Sequence, residues 1–163
     1  MVSKRTSRDA GGRRKFLAII DATPECGRAA SYAARRAISS GGAAVFLYVV
    51  ESADFQQFLG VEKIMRAEAE AEAHARLSKI AEEIRESVGI EPELVVREGK
   101  TDDEIHALIE ADREIAILVL ASGNATEGPG PLVSSVAGRA AAFPIPVTIV
   151  PVTLTDEEIE SLS

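Results

Sequence analysis

Leu118–Val136 reads LVLASGNATEGPGPLVSSV, an apolar strand that runs directly into a Gly/Pro/Ser-rich loop and from there into a helix. A loop in that position after a parallel strand turns backbone N–H groups outward, and the first turn of the next helix adds unpaired donors and a partial positive charge. The stretch therefore has the local architecture of a phosphate site, with an anion expected at Ser134-Ser135. Against this, neither G-x-G-x-x-G nor G-x-x-x-x-G-K-[ST] is present, and the loop holds no Lys or Arg. An ordinary surface loop is the competing reading.

The strand that feeds this loop, Glu114–Ala121 (EIAILVLA), is uniformly apolar, as a parallel strand covered on both faces must be. Lys15–Asp21 (KFLAIID) and Ala43–Val50 (AAVFLYVV) read as two more buried strands. Between them Thr23 is placed as an N-cap with Pro24 opening an Ala-rich helix, and Gly41-Gly42 as its stop. A long helix is expected over about Val61–Val88, ended by Gly89. Its Ala/Glu alternation has a strand's period, but both residues are strong helix formers. The predicted inner stripe is Ile64, Ala67, Ala71, Leu77, Ala81, Ile84 and Val88, with the acids turned to water. Glu93–Arg97 is a short third strand, and Thr101-Asp102-Asp103-Glu104 is a capping box before a helix with Ile105, Leu108 and Ile109 inside. After the loop, a helix over about Leu132–Ala142 is closed by Phe143-Pro144, and Ile145–Val152 is the fifth strand. Pro146 and Pro151 lack an N–H, which puts that strand at an edge. An apolar edge invites pairing with a second copy, so a symmetric homodimer through Ile145–Val152 is expected.

Five strands alternating with helices define the fold class: α/β, a single-domain open five-stranded parallel sheet with helices on both faces. Ligands of such sheets bind outside the carboxyl ends of the strands where strand order reverses. Asp21, Val49-Val50 and the loop after the fourth strand converge there. The domain is read as 15–152, preceded by a flexible basic arm at 1–14 and followed by a solvated acidic tail at 153–163, in which Thr155–Glu158 can cap a last helical turn.

With 163 residues, 46% of them hydrophobic, the chain can bury a substantial core. Its net charge of −8 argues against nucleic acid or an anionic membrane as main partner, despite Lys4, Arg5, Arg8, Arg13, Arg14 and Lys15 at the start. No apolar run approaches the roughly 18 residues of a membrane span, no signal-peptide core precedes Phe16, and Cys26 is the only cysteine; a cytoplasmic location is the simplest expectation. Cys26 among alanines reads as a small buried hydrophobe. His74 and His106 belong to no metal-spaced cluster, and no G-x-S-x-G elbow is present, so no catalytic residue and no metal ligand is assigned.

From Lys15 to Pro151 the chain resembles the universal stress protein family. The first strand ends in Asp21-Ala22-Thr23 where that family has D-x-S, and the second in Leu47-Tyr48-Val49 where it has an L-H-V-like sequence. Gly99 before a helix and Phe143-Pro144-Ile145-Pro146-Val147 before a last strand fall where the family places them. The resemblance implies a Rossmann-like sheet of the adenine nucleotide hydrolase type and a cleft for ATP. Nucleotide-binding members carry G-x-x-G-x(9)-G-[ST] after the fourth strand; at that spacing Ala121, Asn124 and Ser134 stand in place of the glycines, and Ser135 keeps the hydroxyl. Glycine there permits positive φ and close approach of phosphate, which Cβ atoms at Ala121 and Ser134 oppose; Asn124 is the milder change. By resemblance Asp21, with Ala22 and Thr23 beside it, accepts a hydrogen bond from the adenine edge, Val49 lines the base pocket, and Asn124, Ser134, Ser135 and Val136 border the phosphates. The residues alone leave a second reading open, in which Asp21 and Ser135 simply cap the helices that follow them.

Two functions follow. One is a cytoplasmic stress-response protein acting as a homodimeric binding module with a degenerate adenine-nucleotide site and a protein partner. The other is an ATP-binding member with slow hydrolysis or nucleotide-switched signalling. A phosphoacceptor receiver domain is excluded by its chemistry, since Asp21 is followed by Ala22, the third strand ends at Arg97-Glu98, and no Lys follows the fifth.

Overall fold

The computed structural model describes residues 5, 12–51, 62–123, 131–138 and 143–163. Strands and helices alternate as β1 (Lys15–Ile20), α1 (Cys26–Ser40), β2 (Ala43–Val50), α2 (Glu62–Ser87), β3 (Glu93–Glu98), α3 (Thr101–Ala111), β4 (Ile115–Ser122), α4 (Pro131–Gly138), β5 (Val147–Pro151) and α5 (Asp156–Leu162). The strands form one parallel sheet in the order β3-β2-β1-β4-β5. The chain thus builds outward from β1 through β2 to β3, then crosses back to lay β4 and β5 on its other side.

Period-two alternation divides the middle strand between two cores. Phe16, Ala18 and Ile20 face α1, α2 and α5, whereas Leu17 and Ile19 face α3 and α4. The inner side of α1 is made of Ala29, Ala30, Ala33, Ala34 and Ala37, all fully buried. Methyl side chains let this helix lie close against the sheet, and α2 and α5 share the same face beside it.

Several local expectations are corrected. Helix α1 starts at Cys26 rather than at Pro24, and Thr23 does not cap it; the N–H and hydroxyl of Thr23 both go to the Asp21 carboxylate. In α2 the C-terminal half of the stripe is as predicted, with Leu77, Ala81 and Ile84 buried, but Ile64 is 59% exposed. Ala67 and Ala71 are also exposed, and Met65, Ala69 and Ala73 take the inner positions, extending a four-residue step back from Leu77. Helix α3 has no side-chain cap: Lys100 precedes it, and the Thr101 hydroxyl donates to Glu51. Helix α4 begins at Pro131, so Ser134 and Ser135 lie a full turn inside it and neither caps it; residues 139–142, where its predicted end falls, lie outside the described residues. Strand β5 is at an edge, as its prolines require, and spans five residues.

The acidic C-terminal segment keeps its acids exposed, as expected, but folds as α5 against the α1 core. Thr155 and Glu158 form the expected capping box, and Ile159 is fully buried in the α1 core. Arg28 pairs with Asp156 at 2.7 Å and donates to the Leu154 carbonyl at 3.2 Å, while the Ser39 hydroxyl donates to the Ser163 carbonyl at 2.9 Å. Of the N-terminal arm, 1–4 and 6–11 lie outside the described residues. Arg5 donates to the carbonyls of Ile109 and Asp112 at the end of α3.

At the amino end of the sheet, Lys15 reaches Asp112 at 2.8 Å and Glu93 at 3.1 Å, tying β1 to both flanks. Burial disfavours its charge, but the hydrogen bonds to Asp112 and Glu93 outweigh that and raise its pKa. Close beside it the chain turns from α1 into β2 through two glycines. Gly41 adopts φ 67°, closing the helix as a left-handed cap. A Cβ on Gly42 would stand 2.0 Å from the Arg14 carbonyl oxygen, which accepts from Ala43 N–H at 3.0 Å.

Gly42→Ala must displace that carbonyl and is expected to lose about 1–3 kcal/mol of stability in urea unfolding. Gly27→Ala, in a helix with nothing within 4 Å of the added methyl, is expected to be neutral or to gain up to about 1 kcal/mol; equal losses at both positions would contradict the packing described.

Candidate functional site

The connections after β1 and β4 leave the sheet on opposite faces, so the strand ends separate and leave a crevice between them. The crevice is a cleft of about 340 Å³. Its floor is apolar, formed by Ile19, Ile20, Val49 and Leu132; its rim is polar, formed by Asp21, Glu51, Thr101, Asp102 and Ser135. Ile19 and Val49 reach it because they sit on the α3/α4 side of their strands.

Local chemistry fixes each rim residue. Asp21 immediately follows β1, and its Oδ1 accepts the Thr23 N–H at 2.8 Å together with the Thr23 hydroxyl, which turns the chain toward α1. Glu51 follows β2 and accepts from the Thr101 hydroxyl across the gap to α3. Gly99, at the end of β3, donates its N–H to the Val50 carbonyl at 2.9 Å and so holds these two strand ends together. Ser135, on the second turn of α4, donates its hydroxyl to Asp102 Oδ2 at 2.6 Å, joining α4 to α3.

The residues singled out in the sequence are only partly brought together. Asp21, Val49 and Ser135 line the cleft. Ala22 is exposed, and Thr23 instead borders a separate hollow of about 180 Å³ that also holds Cys26, Arg76 and Lys79. Ala121 packs toward the α1 core, Ser134 is exposed, and Val136 is buried in the α3/α4 core. Asn124 lies outside the described residues. Sequence reasoning missed Glu51, Thr101 and Asp102. Glu51 directly after an apolar strand was the available signal; Thr101 and Asp102 were absorbed into a capping box that does not form.

The described rim pairs the hydroxyls of Thr101 and Ser135 with the carboxylates of Glu51 and Asp102. Neither histidine lines the cleft: His74 is exposed, and the His106 ring lies 4.6 Å from that of Phe143. Among the described residues no group of three or more His, Cys, Asp or Glu is placed to hold a metal ion. Cys26, on the α1 side, is buried with its thiol directed to the Asp21 carbonyl at 3.6 Å; burial raises its pKa and keeps the thiol protonated. Burial likewise raises the Tyr48 phenol. No helix among the described residues is long and apolar enough to cross a membrane.

The profile of the universal stress protein family matches residues 12–151. No curated protein matches the chain. Among solved structures, the universal stress protein UspA from Lactobacillus plantarum is 17% identical with a TM-score of 0.66, covering 85% of this chain and 98% of that one. A universal stress protein family structure from Burkholderia pseudomallei is 15% identical with a TM-score of 0.65, over 85% of this chain and 96% of that one. A universal stress protein in complex with cAMP is 18% identical with a TM-score of 0.59, over 87% of this chain and 99% of that one. At these identities the structures share the fold.

Ser135→Ala removes the hydrogen bond that links α4 to α3. The expected cost is about 1 kcal/mol in urea unfolding, the size of a partly buried hydrogen bond, with the far-ultraviolet circular dichroism unchanged.

Proposed function

Because the chain belongs to the universal stress protein family, we propose that it acts in the stress response as a homodimeric binding and regulatory module. We read its cleft as a degenerate adenine-nucleotide site that keeps the base-binding half, with Ala121, Asn124 and Ser134 standing where the phosphate-binding glycines would be. The observation that carries this reading is the 2.6 Å bond from Ser135 to Asp102. By resemblance the Ser135 hydroxyl belongs to a phosphate; here it serves a carboxylate, and an incoming phosphate oxygen would meet negative charge. Ala121 and Ser134 support the same view, since neither lines the cleft. The base half is supported by Asp21 and Val49, which stand at its floor and rim, and by the solved relative that holds cAMP.

The dimer is proposed through β5. That edge strand leaves Ile149 44% exposed, and an unpaired apolar edge is stabilised by the same strand of a second copy running antiparallel about a two-fold axis. Output through protein contacts agrees with a rim that has hydroxyl–carboxylate pairs and no histidine. The alternative, an ATP-bound member with slow hydrolysis, draws on the same Asp21 and Val49.

Millimolar Mg-ATP is expected to leave the thermal midpoint unchanged, and acid-denatured protein to release no ATP. A shift equivalent to about 2.7 kcal/mol, the linkage expected at 100 times Kd, that disappears in Asp21→Ala would establish the ATP-bound alternative. Ile149→Asp is expected to turn a dimer into a folded monomer by light scattering; a wild-type monomer would remove the β5 interface from the proposal.

A further inference from the structure

Resting on the dimer through β5 proposed above, we infer that α5 supplies the rest of that interface, its flank of Leu154, Glu158 and Leu162 packing against the same flank of a second copy across the two-fold axis. The family profile ends at residue 151, so α5 lies beyond the part of the chain that the family accounts for. Its placement is nevertheless specific. Helix α1 lies over β1 and β4, and α2 over β2 and β3, which leaves the β5 side of that face to α5. There Ile159 shares a core with Val150 of β5, and both are buried. The helical repeat then decides what each side of α5 meets. Ile159 points at the sheet. Asp156 and Glu160 turn to α1, where they reach Arg28 at 2.7 Å and Arg35 at 3.7 Å. Glu158 and Leu162, four residues apart, share the opposite flank, away from α1 and toward the free edge.

Leu162 is 64% exposed, and with Leu154 it borders a hollow of about 380 Å³ on α5. Glu157 and Glu158 line the same hollow. Glu157 stands on the side of the helix opposite Ile159, and the Glu158 carboxylate turns back to accept the Thr155 N–H at 2.8 Å, so the leucines can close on a neighbour while both acids stay in water. The size of a stable interface asks for this contribution. Strand β5 has five residues, follows Pro146 and ends in Pro151; it spans about 17 Å, and pairing it with its image joins few backbone groups. Specific interfaces bury about 800 Å² per partner, which such a strand pair does not reach alone. A two-fold axis normal to the sheet keeps the same face up in both copies, and so sets α5 beside its own image, antiparallel to it. Paired strands stand about 4.8 Å apart, and helices seated over β5 and its image therefore approach the roughly 8–10 Å at which helices pack.

The test is the dimer dissociation constant of the full chain by sedimentation equilibrium, for the wild type, Leu162→Ser and Ile64→Ser. Leu162 is exposed at the last turn of α5, so its replacement leaves the protomer folded, which far-ultraviolet circular dichroism checks. A two-fold interface carries each substitution twice, and Leu162→Ser is expected to weaken the dimer at least tenfold. Ile64, equally exposed but on α2 at the far side of the sheet, is the control, and Ile64→Ser is expected to leave the constant unchanged. A wild-type dimer that Leu162→Ser leaves equally tight, or that Ile64→Ser weakens as much, would overturn the role of α5 while leaving the pairing of β5 standing, since Ile149→Asp tests that pairing separately. A wild-type monomer at every concentration would remove the β5 dimer and this inference with it.

Discussion

The constraint on which the rest of the molecule depends is the close packing of α1 on the sheet through five buried alanines. Each presents only a methyl group, so the helix can lie low over β1, and the same face has room for α2 and α5. A larger side chain at any of the five would lift the helix and misplace both ends of it. At one end, Gly41 and Gly42 return the chain to β2 under the Arg14 carbonyl. At the other, the short path from Ile20 to Cys26 leaves five residues to leave the sheet and enter the helix. Asp21 performs that turn by drawing in Thr23. The cleft therefore inherits its Asp21 wall from helix packing.

Most of the fold was legible because buried parallel strands leave little choice of residue: LAII, VFLYVV and ILVL can sit nowhere else than between two helical layers. What was illegible has specific causes. Alanine is at home on either face of a helix, so the repeat of Ala and Glu over 67–75 does not disclose a phase, and Ile64 drew the predicted stripe to the wrong side. Threonine capping signals compete with tertiary partners. Thr101 gave its hydroxyl to Glu51, fifty positions away, and Thr23 turned back to Asp21, whereas Thr155 formed its capping box with Glu158 as expected.

At the cleft, sequence suggests ligand or cap for each polar side chain, and folding uses some of them for a third purpose. Ser135 and Asp102 come from different helices and join them; Thr101 and Glu51 join a helix to a strand end. Such cross-links are invisible in sequence because they depend on where the crossovers land. They have an electrostatic consequence: the Thr101 and Ser135 hydroxyls donate to carboxylates rather than outward, so these rim positions present oxygen lone pairs.

The two edges of the sheet are chemically unlike. Strand β5 carries exposed Ile149 between two prolines, whereas β3 exposes Leu94 flanked by the charges of Glu93 and Arg97, with Glu93 already engaged by Lys15. A second copy added along β5 would leave β3 as both outer margins of the enlarged sheet, and charge on a margin strand discourages further strands from joining. Association by the proposed route would be finite, ending at two copies, because charge on the opposite edge would discourage growth into a fibre.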